Sequence, residues 1–236
     1  MRVVSLVPSL TEAVAVTAPR MLVGATDYCT HPADLDVPRV GGSKYPLLDQ
    51  VLAAEPDLVL MNEEENRRQD AEALREAGVA VFVTFPRTVD EAFVDLRRLF
   101  DALLVKVPLW LEAAENVWAE ARATAASTAV LVPVWRRPWV VVGGGTFAGD
   151  VLARLGFSNV YEASEERYPR PPLAELQAAG ADLVVLPDEP YAFTATDGPE
   201  AFPGIPSALV SGRHLTWYGP SLVDAPSVLR RQLELS

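Results

Sequence analysis

Cysteine and basic residues are scarce in this chain, and each scarcity excludes a class of function. The single cysteine, Cys29, excludes an intramolecular disulfide and any zinc or iron–sulfur site built from several cysteines. The 20 basic residues are outnumbered by 32 acidic ones, which gives a formal net charge of −12. Because such a charge is repelled by phosphate backbones and anionic lipid, nucleic acid and membrane surfaces are not expected as partners.

Long hydrophobic runs are also missing. No stretch approaches the roughly 20 apolar residues that a membrane-spanning helix needs, so membrane insertion is not expected. The first apolar run, Val3–Val7, stops at Pro8 and lacks the longer apolar region and cleavage site of a signal peptide. As written, the sequence predicts a cytoplasmic protein, although a trimmed mature form of a periplasmic protein would have the same features.

Strands and helices alternate through the first part of the chain. Val3–Val7 has the β-branched, apolar character of a strand, and Ser9–Glu12 has the spacing of a capping box that opens a helix. The later pattern predicts strands over 22–26, 57–61 and 79–83 and helices over 47–54 and 66–77. This alternation is typical of a mostly parallel sheet in an α/β protein.

A helix-forming segment separates this part from a second α/β part. Thr88–Glu91 offers another capping box, and the segment runs to Ala126 with one interruption at Pro108. Alternation then resumes, with strands predicted over 130–134, 139–142, 182–186 and 215–218 and helices over 148–155, 173–179 and from 221. The sequence therefore predicts an N-terminal lobe over 1–87, a connecting helical segment over 88–126 and a C-terminal lobe over 127–236.

Several motifs resemble those of one known family. The quoted segments are VSLVPSLTE at 4–12, VGG at 40–42, AAEPDLVL at 53–60, TFAGDVL at 146–152 and YGPSLVD at 218–224. Their order and spacing are similar to class III, or helical-backbone, periplasmic binding proteins, which include cobalamin-binding and iron-siderophore-binding members. The segment 53–60 also resembles 178–185 within the chain itself, which suggests two similar halves.

The resemblance implies a fold and a function. The fold has two α/β lobes with mostly parallel sheets joined by a long connecting helix, and a metal chelate or corrinoid is held in the cleft between the lobes. Such a protein is not an enzyme and needs no cofactor, and its further partner is the permease of an ABC-type uptake system. Ligands of open α/β sheets lie at loops that follow the carboxyl ends of strands.

The loops at these strand ends supply the predicted ligand-binding residues. Aromatic rings there can stack on a flat conjugated ligand, and Lys44 can meet a ligand carboxylate or phosphate. The predicted residues are Ser9, Tyr28, His31, Lys44, Tyr45, Phe147, Tyr168, Tyr191, Trp217 and Tyr218. Tyr28 and Trp217 are expected on opposite walls of the cleft. The alternative for each aromatic residue is local packing beneath its own loop.

Two other functions stay open. Gly143–Ala148 matches the G-x-G-x-x-A turn of dinucleotide-binding enzymes, and acidic residues follow at a suitable distance. The Pro-rich run Tyr168–Pro172 interrupts the βαβ unit that such an enzyme needs, and the glycines are instead interpreted as allowing a ligand to approach the backbone. The other alternative is a cytosolic sensor or scavenger on the same fold. No dedicated metal site is expected, because Cys29 and His31 alone cannot complete one.

Overall fold

The structure of the chain, a computed structural model, describes residues 1–121 and 128–234. It forms two compact units, each assembled from separate parts of the chain. Unit 1 comprises Met1–Phe85, Ala92–Glu112 and Tyr218–Pro220, and unit 2 comprises Pro86–Glu91, Ala113–Trp217 and Ser221–Ser236. The division at 1–87, 88–126 and 127–236 stays a prediction, and Ala126 lies outside the described residues.

Unit 1 is built on a four-stranded parallel sheet with the order β2-β1-β3-β4. Its strands are β1 (Val3–Ser5), β2 (Leu22–Ala25), β3 (Leu58–Asn62) and β4 (Ala80–Thr84). The helices between them are α1 (Pro8–Thr17), α2 (Leu48–Ala53) and α3 (Arg68–Glu76), with a 3-10 turn at Pro19–Met21. Strand β3 is buried along its whole length between two neighbours, which explains its unbroken apolar sequence.

The part of the predicted connecting segment that the structure describes, up to residue 121, contains two helices. These are α4 (Val89–Ala102) and α5 (Leu109–Glu120). The break agrees with the interruption predicted at Pro108, since proline lacks an N–H and disfavours helical backbone in the residue before it. The Thr88 hydroxyl accepts the backbone N–H of Glu91 at 3.1 Å, so the predicted cap at the start of α4 forms.

Unit 2 contains a second four-stranded parallel sheet, with the order β10-β9-β5-β8. Its strands are β5 (Thr128–Leu131), β8 (Phe157–Asn159), β9 (Leu183–Pro187) and β10 (Ser207–Val210), and β6 (Pro133–Trp135) and β7 (Val140–Val141) form a separate antiparallel pair. The helices are α6 (Phe147–Leu155), α7 (Leu173–Gln177), α8 (Gly212–Thr216) and α9 (Ala225–Glu234), with 3-10 turns at Pro199–Ala201 and Pro220–Val223.

The two sheets have the same strand order. If the strands of each sheet are counted in chain order, both are arranged second, first, third, fourth. The similar segments 53–60 and 178–185 lead into β3 and β9, which are the third strand of each sheet. The sequence similarity therefore marks equivalent positions in two copies of one topology.

Two local predictions were wrong. The segment 215–218, predicted as a strand, begins inside helix α8, where the Thr216 hydroxyl donates to the Gly212 carbonyl oxygen at 2.8 Å. The fourth strand is β10, and its burial alternates along the chain. The capping box at Ser9–Glu12 does not form, because α1 already begins at Pro8, a residue suited to the first helical position.

No helix in residues 1–121 and 128–234 is both long enough and apolar enough to cross a membrane.

Helix α5 is anchored in unit 2 by Trp118, which is completely buried and donates its indole N–H to the Leu222 carbonyl oxygen at 2.9 Å.

We expect Trp118→Ala to lower the free energy of unfolding by about 3–5 kcal/mol, because truncation of a buried aromatic side chain leaves a cavity. Urea denaturation measures this change. The control is Trp135→Ala, at a tryptophan that is 44% exposed, which should cost less than about 1.5 kcal/mol even with the loss of its edge contact to Tyr191. Equal losses in the two variants would contradict the assignment of Trp118 to the core.

Candidate functional site

A buried polar network lies at the carboxyl ends of β3 and β4 in unit 1. The Asn62 side-chain amide donates to the Tyr218 hydroxyl at 2.7 Å, and that hydroxyl is 2.9 Å from the Thr84 hydroxyl. All three side chains are almost fully buried. Burial raises the pKa of Tyr218 well above its ordinary value, and the Glu65 carboxylate adds to the shift. Tyr218 therefore acts as a neutral hydrogen-bonding group that closes the network.

Asn66 connects two strand ends and one loop of unit 1. Its side-chain oxygen accepts the backbone N–H of Asn62 at 2.7 Å. Its amide nitrogen donates to the carbonyl oxygens of Leu6, at 3.2 Å, and Ser43, at 2.9 Å. One buried side chain thus holds the end of β1, the end of β3 and the loop containing Ser43 in a fixed arrangement.

The loop after β2 is held by an arginine. Arg39 donates from one nitrogen to the carbonyl oxygens of Thr26, at 2.9 Å, and Cys29, at 2.8 Å. The Cys29 thiol is buried and lies 2.9 Å from the Thr11 hydroxyl. Burial raises the pKa of this thiol, which keeps it protonated and unreactive.

The same edge of unit 1 exposes two tyrosine rings. Tyr28 is 65% exposed and Tyr45 is 69% exposed. They lie on neighbouring loops, because the Asp27 N–H donates to the Gly41 carbonyl oxygen at 2.9 Å. The edge of the Tyr28 ring also packs against Gly42, at the position that a Cβ atom would take. Rings this exposed offer free faces to a ligand.

The structure divides the predicted residues of unit 1 into two groups. Tyr28, His31, Lys44 and Tyr45 lie on the two neighbouring loops, and the Lys44 ammonium group donates to the Glu64 carbonyl oxygen at 3.4 Å. Ser9 and Tyr218 are buried, with 2% and 4% of their surfaces exposed. We define the loop group as the tyrosine surface; its members are Tyr28, Lys44 and Tyr45, which are exposed, and His31, which is half-buried.

In unit 2 the predicted residues are more deeply packed. Tyr191 belongs to an aromatic cluster, with its ring centroid 4.7 Å from that of Phe193, and its hydroxyl donates to Asp197 at 2.7 Å. Phe147 is buried in the first turn of α6. Trp217 is 6% exposed, whereas Tyr168 is 39% exposed. The ligand-binding roles of these residues stay predictions, and Tyr168 is the most exposed of the four.

The Trp217 side chain contacts a half-buried carboxylate, that of Glu189. Glu189 follows β9 and accepts a hydrogen bond from the Trp217 side chain, while its Oε1 atom is buried and makes no hydrogen bond. Burial raises the pKa of Glu189, and the neighbouring Asp188 carboxylate adds to the shift. Asp188 itself accepts the Gly212 N–H at 2.7 Å, which joins the end of β9 to the start of α8.

The glycine turn after β7 packs against the chain itself. A side chain at Gly143 would collide with the Glu166 carbonyl oxygen, and one at Gly144 with the Glu162 carbonyl oxygen. Moreover, β7 pairs only with β6 and lies outside the parallel sheet. At Gly143 and Gly144 the close approach is made by the backbone at 162–167, whereas nothing lies within 4 Å of a side chain placed at Gly145. The interpretation that the glycines allow a ligand to approach stays a prediction.

The sequence did not point to four residues that organise the site, which are Asn62, Asn66, Thr84 and Arg39. Glu63–Glu65, which follow Asn62, lie in the turn before α3, whose first residue is Arg68. An asparagine at the last position of a buried strand was the available signal, because such a side chain needs partners inside the protein.

Within the described part of the chain, no group of three or more His, Cys, Asp or Glu residues is placed to hold a metal ion.

Comparisons with known proteins agree with this architecture. The family model of periplasmic binding proteins matches residues 3–202. The chain belongs to the periplasmic binding protein family. This family consists of solute-binding proteins and not of enzymes, which confirms the predicted resemblance and the non-enzymatic assignment.

Solved structures of family members match almost the whole chain. The periplasmic heme-binding protein BhuT in complex with two hemes is 25% identical, with a TM-score of 0.83 over 98% of this chain and 97% of that chain. A periplasmic heme-binding protein from Pseudomonas aeruginosa is also 25% identical, with a TM-score of 0.77 over 99% and 92%. The vitamin B12-binding protein BtuF of Vibrio cholerae is 17% identical, with a TM-score of 0.78 over 99% and 96%, and shows the fold alone. The curated proteins contain no match to the chain.

We expect Glu189→Gln to stabilise the protein at neutral pH relative to the unchanged chain. A carboxyl group whose pKa is raised by folding contributes stability at low pH that is lost as pH rises through its folded-state pKa. The two proteins should therefore unfold at similar denaturant midpoints below about pH 4, and the variant should be the more stable one as pH increases. If the difference between the two denaturant midpoints were the same at every pH, folding would not raise the pKa of Glu189.

Proposed function

We propose that this chain is a substrate-binding protein for a planar metal-chelate macrocycle, with heme as the first candidate and corrinoids as the second. The observation that carries the proposal is the tyrosine surface, where two exposed rings lie on neighbouring loops at the carboxyl edge of a parallel sheet. That edge is the general position of ligands in open α/β sheets. Exposed aromatic rings supply a large contact area at a low cost in conformational entropy.

The charges near these rings favour a ligand with an anionic periphery. Lys44 is an exposed member of the tyrosine surface. In a chain with a net charge of −12, its ammonium group provides a local attraction for carboxylates. Heme carries two carboxylates at one edge, whereas the amide groups of cobalamin are neutral, so the charges support heme over the corrinoid.

The relatives support the same order. The two matching structures at 25% identity are both described as heme-binding proteins, and the B12-binding protein is more distant in sequence. Iron-siderophore chelates, which the family resemblance also suggested, are not planar macrocycles and rank behind heme and corrinoids. We further propose that the loaded protein delivers its ligand to an ABC-type permease, as expected from the family resemblance.

The proposal is tested by titration of the protein with hemin and, separately, with cyanocobalamin, followed by absorbance. Tyr28→Ala and Tyr45→Ala should each weaken hemin binding about 30-fold or more, since truncation of an aromatic anchor typically costs over 2 kcal/mol. Because both rings are exposed, the unfolding midpoints should change little.

The matched control is Tyr45→Phe, which keeps the ring and should bind within about threefold of the unchanged protein. Tighter binding of cyanocobalamin than of hemin would replace heme by the corrinoid as ligand. Unchanged affinity for both compounds in both alanine variants would contradict the proposed binding surface.

A further inference from the structure

Arg67 is held in a fixed orientation by a buried carboxylate. Its Nε and Nη2 atoms donate to the two oxygens of Asp70 at 2.9 and 2.7 Å. The Asp70 side chain is only 3% exposed, so its packing keeps this acceptor from turning towards solvent. Two parallel hydrogen bonds to one carboxylate fix the plane of a guanidinium group as well as its position.

The Tyr45 ring lies on this fixed guanidinium. The Arg67 Cζ atom is 4.7 Å from the ring centroid, which is within the range of a cation–π contact. The backbone beside Tyr45 is fixed too, because Gly41 and Pro46 form an antiparallel bridge and the Ser43 carbonyl oxygen accepts from Asn66. The ring is nevertheless 69% exposed, so it is held from one side while most of its surface is open.

We propose that Arg67 is a positioning residue that preorganises Tyr45 for stacking on the ligand, with Asp70 holding Arg67 in place. This inference rests on the proposed function, in which Tyr45 contacts the ligand. A freely rotating tyrosine loses conformational freedom when it binds, and a ring that is already fixed loses less. Arg67 thereby raises affinity through Tyr45 and does not need to touch the ligand itself.

The neighbouring Arg68 provides a matched control. It follows Arg67 directly as the first residue of α3 and carries the same charge, but its Nε donates to Glu72 at 2.8 Å and its side chain is 91% exposed. Arg68→Ala removes one positive charge from the same region without altering the support of Tyr45. Any effect of Arg67→Ala beyond that of Arg68→Ala is therefore not a general effect of charge.

The first experiment is a double-mutant cycle of Arg67→Ala and Tyr45→Ala with hemin as the probe. We expect Arg67→Ala alone to weaken binding roughly two- to tenfold, as estimated from one cation–π contact and one immobilised side chain. In the Tyr45→Ala background the same substitution should have no further effect, because the ring on which it acts is absent. An equal loss in both backgrounds, or an equal loss from Arg68→Ala, would overturn the inference.

The second experiment needs no ligand. The six tyrosines can be replaced by 3-fluorotyrosine, and the Tyr45 resonance is assigned by its absence from the fluorine NMR spectrum of Tyr45→Phe. Arg67→Ala should move this resonance towards the position of an unfolded chain and narrow it, whereas Arg68→Ala should leave it in place. An unchanged Tyr45 resonance in Arg67→Ala would refute the positioning role even if no tested compound binds.

The two experiments separate this inference from the proposed function. If the tyrosine variants lose hemin binding but Arg67→Ala changes neither affinity nor the fluorine spectrum, only the positioning role fails. If the tyrosine variants bind hemin normally, the proposed function fails, and the inference fails with it because Tyr45 then makes no contact with the ligand.

Discussion

The ends of parallel strands impose the constraint on which unit 1 depends. Where β1 and β3 stop, backbone groups lose their sheet partners while still buried, and unpaired groups of this kind are costly. Asn66 meets this requirement with three hydrogen bonds that join Leu6, Ser43 and Asn62. Because one of these bonds ends on the loop that carries Lys44 and Tyr45, the same interaction that completes the fold also holds the exposed surface in place.

Burial separates the aromatic residues into two roles. Tyr218 has its hydroxyl bonded to Asn62 and Thr84, and Tyr191 packs among other rings, so each contributes mainly to the internal structure. Tyr28 and Tyr45 lie in loops whose backbones are fixed by Arg39, Asn66 and their neighbours, which leaves the rings themselves exposed. Rigid loops that carry exposed rings are the arrangement that preorganised binding requires.

The sequence predicted the repetitive features of the fold well. Strands β3 and β9 are continuous apolar runs, and α6 ends where Gly156 adopts a left-handed conformation with a φ of 98°, so each was recognised close to its actual bounds. Segment 215–218 failed because its few apolar residues suit a strand and a helix equally, and only the hydrogen bonds of α8 decide between them.

The site was less predictable because its residues are assembled from distant parts of the chain. Tyr218 is 156 positions from its partner Asn62, and no local pattern indicates that pairing. The glycines at 143 and 144 show the same limit. Their local motif fits a ligand-binding turn, but the backbone at 162–167 packs against both of them, which only the tertiary structure reveals.

The strand-end hydrogen bonds of Asn66 hold the tyrosine surface in place before any ligand binds. Backbone hydrogen exchange in Asn66→Ala tests this statement. The control is Asn159→Ala, since Asn159 donates to the Val142 carbonyl oxygen at a strand end of unit 2. Loss of these bonds predicts exchange at least about tenfold faster over residues 41–46 and 62–66, with the centre of β3 still protected. Unchanged exchange over 41–46 in Asn66→Ala would contradict the claim.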